Sequence, residues 1–173
     1  MAIKKVILFG DSFLRKKSHP ISDFNSDEVA IIKTDLKDTL DHLQAIHKKG
    51  GGLAAPQIGY SYQVIYINAR DRSFFLFNPK IIDKSKKLFD VWDFCFSGAA
   101  AFEAKIKRHW HITVEYDDEN REKQKEVFEE YFSELVQHEV DHLEGRLFID
   151  LIEDPSNIRM VVKEAKPPTT PLQ

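Results

Sequence analysis

Apolar positions recur along this chain at two spacings, and the two predict different elements. From Val29 through Ile32, Leu36, Leu40 and Leu43 to Ile46 they fall three or four residues apart, the period of an amphipathic helix. Ser26 stands where an N-cap belongs, so the pattern predicts a helix over residues 27–48, ended by Gly50–Gly52. Tyr62–Asn68 and Ser73–Ile82 are β-rich runs, with Ala69-Arg70-Asp71-Arg72 between them as a turn. Lys105–Asp117 alternates around Ile106, Trp110, Ile112, Val114 and Tyr116 and predicts one further strand. A polar turn follows from Asp117 to Glu122, and the segment to Val127 either adds a strand or leads into the next helix. In that helix Tyr131, Phe132, Leu135 and Val136 return to helical spacing, with Glu129, Glu130 and Glu134 among them. Gly145 fits its C-terminal end, where a residue tolerant of positive φ is wanted. No internal repeat is visible.

The second helix carries the chemistry. Residues 138–142 read His-Glu-Val-Asp-His, which puts two imidazoles on one helix face, one turn apart. Such a pair can share one metal ion, with Glu139 placed as general base toward water on that ion. A solvated, charged helix face is the plain alternative. A metal held there needs at least one more ligand and an open position for water. The metzincin pattern HExxHxxGxxH keeps its glycine as Gly145, but its third histidine position is Phe148, which cannot bind metal. A thermolysin-like downstream carboxylate would have to be Glu164, in a lysine-rich stretch running into Lys166-Pro167-Pro168, a poor helix. Cys95 is the only cysteine; it can be a small buried hydrophobe, or its thiolate can ligate zinc or iron(II).

A third segment, Gly50-Gly51-Gly52-Leu53-Ala54-Ala55-Pro56-Gln57, combines backbone freedom with small side chains and one amide. Three glycines let a ligand or another backbone approach closely, and Gln57 can donate a hydrogen bond to a developing oxyanion. It is neither a P-loop nor a GxGxxG dinucleotide fingerprint.

Together these segments resemble peptide deformylase, a family marked by GxGLAAPQ, then EGCLS, then QHExDHLxG. The first is complete at Gly50–Gln57 and the third at Gln137–Gly145. Val6–Arg15, Phe77-Asn78-Pro79 and Ile112–Tyr116 extend the resemblance to roughly residues 3–152. It implies an α+β fold of antiparallel β-sheets packed around a central metal-binding helix, with the N-terminal amphipathic helix beside it. The implied metal ligands are Cys95, His138 and His142. The implied ion is iron(II), with zinc, nickel or cobalt as other occupants. The implied catalytic groups are Glu139, Gln57 and the Phe96 backbone N–H, the last two facing the oxyanion. Gln137 and Asp141 would support the ligands. Gly50, Gly52, Leu53, Phe94, Tyr131 and Leu135 would bind substrate, with Tyr131 and Leu135 toward the methionine side chain. The implied reaction removes the formyl group from formyl-methionyl peptides of newly made proteins, with the ribosome as a place of encounter.

The middle motif departs from the family. Asp93-Phe94-Cys95-Phe96-Ser97 replaces glutamate by aspartate, glycine by Phe94 and leucine by Phe96. Asp93 is one methylene shorter, so an ion pair with an arginine such as Arg108 must be rebuilt. Phe94 occupies space and limits φ and ψ where glycine lets substrate backbone come close. A divergent deformylase with altered substrate preference or lower activity is therefore a second reading. An internal-bond metallopeptidase and a non-catalytic metal-binding protein are more distant ones.

Composition bounds the rest. With 173 residues and 42% hydrophobic content, the chain suffices for one domain with its own core, expected over residues 1–166, and is too short for two. The tail at 167–173 has three prolines and little to bury, so disorder is expected. Net charge −3 and scattered basic residues give no reason to expect nucleic-acid binding. No stretch approaches the roughly 18 consecutive apolar residues that span a bilayer. One cysteine and no signal-like apolar segment predict a reducing compartment, and a bacterial cytoplasm fits best.

Overall fold

The computed structural model describes residues 3–161. Two antiparallel sheets and two helices account for most of them. The five-stranded sheet has the order β1-β2-β3-β6-β7, formed by Gly52–Ala54, Val64–Ala69, Arg72–Lys84, His111–Asp117 and Lys123–Glu129. The smaller sheet has the order β4-β5-β8, formed by Leu88–Asp93, Phe102–His109 and Ile158–Met160. Helix α1 spans Asp27–His47 and helix α2 spans Glu130–Leu143.

The centre of the larger sheet, at β2 and the first half of β3, is buried on both faces, and its sequence reports this. Alternation along Val64-Ile65-Tyr66-Ile67 sends Val64 and Tyr66 to the α1 side, beside Ile32, Leu36 and Leu40. It sends Ile65 and Ile67 to the α2 side, beside Val136 and Leu143. Strand β3 does the same, with Phe75 and Phe77 on the first side and Leu76 on the second. A third cluster, around Val91, Ile106 and Phe148, fills the space under the small sheet. Helix α2 touches both sheets, through β1 and β7 on one hand and β5 on the other.

The expected N-cap is in place, since the Ser26 side chain accepts from the Val29 N–H. The helix stop is a correction. Helix α1 closes at His47 with Lys48 in the left-handed region at φ 56, two residues before the glycines. The glycines instead lead into β1, which the sequence reading left out, as it did β4 and β8. The expected hairpin of β2 and β3 is present, with Ala69 paired to Arg72 around a two-residue turn. The segment after the polar turn resolves as strand β7.

Lys105–Asp117 is the second correction. It is two strands in different sheets, broken at Trp110. The break is held by polar groups that no periodicity reveals. Gln137 on α2 accepts from the His109 N–H at 3.1 Å, and its amide donates to the His109 carbonyl at 2.9 Å. Ser133 donates to the same carbonyl, the Lys87 carbonyl takes the Trp110 N–H and the Glu130 N–H reaches the Trp110 carbonyl. Each backbone group freed by the kink thus finds a partner.

Residues 146–152, expected only to be short and apolar, contain a 3-10 turn at Phe148–Leu151. Gly145 follows α2 at φ +72, where a Cβ would stand 2.5 Å from the Arg15 carbonyl oxygen, so both conformation and space select glycine. The tail at 167–173 and Glu164 lie outside the described residues.

Candidate metal centre and adjoining pocket

Three parts of the chain meet beside β1. Helix α2 supplies His138 and His142, which its pitch places on one face with ring centroids 5.1 Å apart. The end of β4 leads directly to Cys95, which caps the 3-10 turn Phe96–Gly98 and accepts from the Ser97 N–H at 3.4 Å. The Cys95 Sγ lies 3.2 Å from His142 Nε2. One donor atom from each of Cys95, His138 and His142 falls within 4.8 Å of the other two, and all three residues are buried. One thiol and two imidazoles converging out of solvent are a donor set that fits zinc, iron(II), nickel or cobalt.

The surroundings fix the orientation of these groups. Asp93 Oδ1 stands 2.8 Å from His138 Nδ1, and Asp93 Oδ2 takes the Arg108 guanidinium at 2.9 Å. A carboxylate at that distance favours a proton on Nδ1, which would leave Nε2 for the thiol side. Arg108 pairs in turn with Asp141, so the shortened Asp93 has kept its arginine. Burial alone would lower the pKa of His138, but the Asp93 charge and hydrogen bond outweigh it and hold the ring well above its usual value. His142 lacks such a partner, and burial followed by the neighbouring His138 charge pushes it well below. Asp93 answers its own burial with His138 and Arg108 and drops to about 2. The contacts around His138 were only partly legible in the sequence: the Asp93–Arg108 pair was expected, the Asp93–His138 contact was not.

Gln57 and Glu139 flank the cluster. The Gln57 Oε1 accepts from the Ala54 N–H at 2.8 Å, which turns its amide nitrogen to the Cys95 Sγ at 3.3 Å and to Ser97 Oγ at 3.4 Å. Glu139 is buried, and its Oε2 has no hydrogen-bond partner among the described residues. A buried, orphaned carboxylate oxygen is what a site that receives water or a ligand would hold. Burial, then the Asp93 charge, raises Glu139 to about 7. The glycines explain how β1 comes so near. A Cβ on Gly52 would stand 2.7 Å from Glu139 Oε1, and one on Gly51 would stand 2.6 Å from the Tyr131 hydroxyl.

A pocket of about 440 Å³ opens beside the cluster and is lined by Gly50, Gly52, Phe94, Phe96, Tyr131 and Leu135 together with Gln57, Cys95, His138 and Glu139. Two of the substituted residues pack on each other, since the Phe94 and Phe96 rings meet edge-on at 5.5 Å. Phe96 also covers Gly50, and Lys49 lies 4.1 Å from the centre of the Phe94 ring. Phe94 is therefore housed as one wall of the pocket. The Leu53 side chain is fully buried in the α1 cluster, so any contact with a peptide falls to its backbone. Glu134 also lines the pocket, and its place four residues before His138 was a signal left unread.

A model of the polypeptide deformylase family matches residues 3–157. The chain belongs to this family. It is 38% identical to a peptide deformylase of Pseudothermotoga lettingae over 94% of its own length and 89% of the relative's. A crystal structure of a peptide deformylase from Synechococcus elongatus in complex with actinonin superposes with a TM-score of 0.81 at 30% identity, covering 89% of this chain and 81% of that one. A class I type b peptide deformylase from Acinetobacter baumannii, bound to Met-Ala-Ser, gives a TM-score of 0.78 at 26% identity, covering 87% of this chain and 99% of that one. The chain is thus a deformylase, a metal-dependent hydrolase of a family that acts on formylated nascent peptides. Among the described residues no helix is long and apolar enough to cross a membrane.

Proposed function

We propose that Cys95, His138 and His142 hold one divalent ion, iron(II) in the cell, and that Glu139 is the general base in hydrolysis of the formyl amide of formyl-methionyl peptides. Bound there, the ion supplies Lewis-acid polarisation and an acidified water at neutral pH. Glu139 takes the proton of the attacking water and delivers it to the leaving amine, the two-way role of a carboxylate with a pKa near the working pH. Gln57, its amide pinned by Ala54, and the backbone N–H of Phe96 donate to the oxygen that gains charge. Gln137 and Asp141 keep α2 in register with β5 and Arg108. The edge strand β1 offers the peptide main chain Gly50, Gly52 and the Leu53 backbone, while Phe94, Tyr131 and Leu135 surround its first side chain. In this reading residues 1–166 form the catalytic unit, which works in a bacterial cytoplasm and meets nascent chains at the ribosome.

The observation that carries this reading is the approach of the Cys95 thiol to His142 at 3.2 Å next to the orphaned Glu139 carboxylate. Elemental analysis of anaerobically purified protein, with formate release from formyl-Met-Ala-Ser, tests it. We expect about one iron per chain, in keeping with a single Cys-His-His donor set, and release that falls with loss of the ion. Activity that is equal after prolonged aerobic chelation and zinc reloading would count against iron. Metal-loaded protein that releases no formate would count against the assigned roles.

Asp93→Asn checks the supporting contact. It removes the charge beside His138 Nδ1 and leaves the buried Arg108 short of a partner. Metal affinity should fall by about 10–100-fold, read by chelator competition. Unchanged affinity would show that the short aspartate does not support the ligand.

A further inference from the structure

The pocket beside the cluster carries one acid that the chemistry does not use. Its other charged groups are accounted for. Asp93 is matched by Arg108 and His138, and Glu103 by Lys49 at 3.1 Å and Arg159 at 2.7 Å. Glu139 is assigned to proton transfer. Glu134 remains: it is half-buried, lines the pocket, and among the described residues has no hydrogen-bond or ion-pair partner.

Its position says what it would meet. Glu134 precedes His138 by four residues, so it lies on the same face of α2, one turn further from the reacting amide. That is about 5–6 Å between side-chain roots, the reach of an unbranched side chain of four or five heavy atoms. Tyr131 and Leu135 offer such a side chain apolar surface on the way. A half-buried carboxyl that lines a pocket and has no hydrogen-bond partner among the described residues is free to receive a donor from a ligand. Burial and the Asp93 charge accordingly raise its pKa to about 7.

We propose that Glu134 is a specificity-determining residue of this deformylase, and that its carboxylate receives a cationic or hydrogen-bond-donating group at the end of the first side chain of the formylated peptide. The proposal rests on the deformylase reading and deepens it. The pocket should rank a lysine-type side chain above an apolar one of matching length, so N-formyl peptides with a basic first residue join formyl-methionyl peptides as substrates.

The test compares formyl-Lys-Ala-Ser, formyl-norleucyl-Ala-Ser and formyl-Met-Ala-Ser in two arms. In the first, kcat/KM is measured for the metal-loaded enzyme and for Glu134→Leu and Glu134→Gln. In the second, calorimetry measures binding of the same peptides to Glu139→Gln protein with and without each Glu134 change. The lysine-to-norleucine ratio should fall by about 10–100-fold in Glu134→Leu, the size expected for a hydrogen bond to a charged group, and by less in Glu134→Gln. A ratio unmoved by both substitutions overturns the proposal, whatever the rates. Should Glu134→Leu fail to fold, Glu134→Gln alone decides, because it keeps shape and removes charge. Peptides that bind with the expected ratio but are never cleaved would sink the deformylase roles and leave this proposal standing. Cleavage with an unmoved ratio would do the reverse, and neither binding nor cleavage overturns both.

Discussion

Glu139→Gln should lower kcat for formate release by about 10²–10⁴-fold with metal content unchanged, the range lost when a positioned general base is removed. Glutamine has the same shape, so α2 and its packing against β1 should persist. What disappears is the capacity to take a proton. The carboxylate suits that task because burial and the Asp93 charge raise its pKa to about 7, close to the pH at which it must both accept and return a proton. The same shift has a stability consequence with a definite sign. The folded metal-free protein keeps a proton on Glu139 between about 4.5 and about 7, a range in which the unfolded chain has already lost it. Stability therefore falls with rising pH across that window, and Glu139→Gln should flatten the fall. Activity within twofold of the parent would leave the cluster as a non-catalytic metal site.

The large loss expected of Glu139→Gln also separates the competing readings. A purely structural metal site needs neither a buried unpaired carboxylate nor an amide turned toward the thiol, yet Glu139 and Gln57 supply both. An endopeptidase that cuts internal bonds would degrade casein when metal-loaded. Membership of the deformylase family runs against that outcome.

The sequence made the site more legible than the fold around it. The pairing of His138 with His142 follows from helical pitch alone, because four residues return a helix to the same face. Cys95 could not be chosen from its own neighbourhood, where a buried hydrophobe and a ligand look alike; the three motifs in order decided it. The strands β2 and β3 were legible because a sheet covered on both faces spells a continuous apolar run. The break at Trp110 was not, because alternation carries straight across it and the change of sheet depends on Gln137 and Ser133 arriving from a distant helix. Strand β1 was hidden for a related reason: its three residues include glycine, and its pairing with β2 is a tertiary fact. Glu134 and the Asp93–His138 contact show the remaining gap. Each is one side chain whose neighbours are set by packing between elements.

The family resemblance named glycine at position 52, and the structure supplies the physical reason to expect a second large effect. Gly52→Ala should lower kcat/KM for formyl-Met-Ala-Ser by about 10²-fold or more, while costing far less in thermal stability than a core truncation. A Cβ there would stand 2.7 Å from Glu139 Oε1, 2.9 Å from its Cγ and 3.0 Å from its Cδ. These are distances that non-bonded atoms do not tolerate, so either β1 or the carboxylate must move. Strand β1 is held by its ladder with β2, with Gly52 opposite Ile67 and Leu53 opposite Tyr66. Glu139 is held at its root on α2 and by the Ala54 backbone, while one of its oxygens has no partner among the described residues. The carboxylate gives way first. A displacement of about 1 Å in a positioned catalytic group costs about 10²-fold in rate. The metal ligands are untouched by this change, so metal content should match the parent. Loss of the ion along with the activity would mean that β1 had moved instead, and that the close approach of Gly52 serves the fold rather than the base.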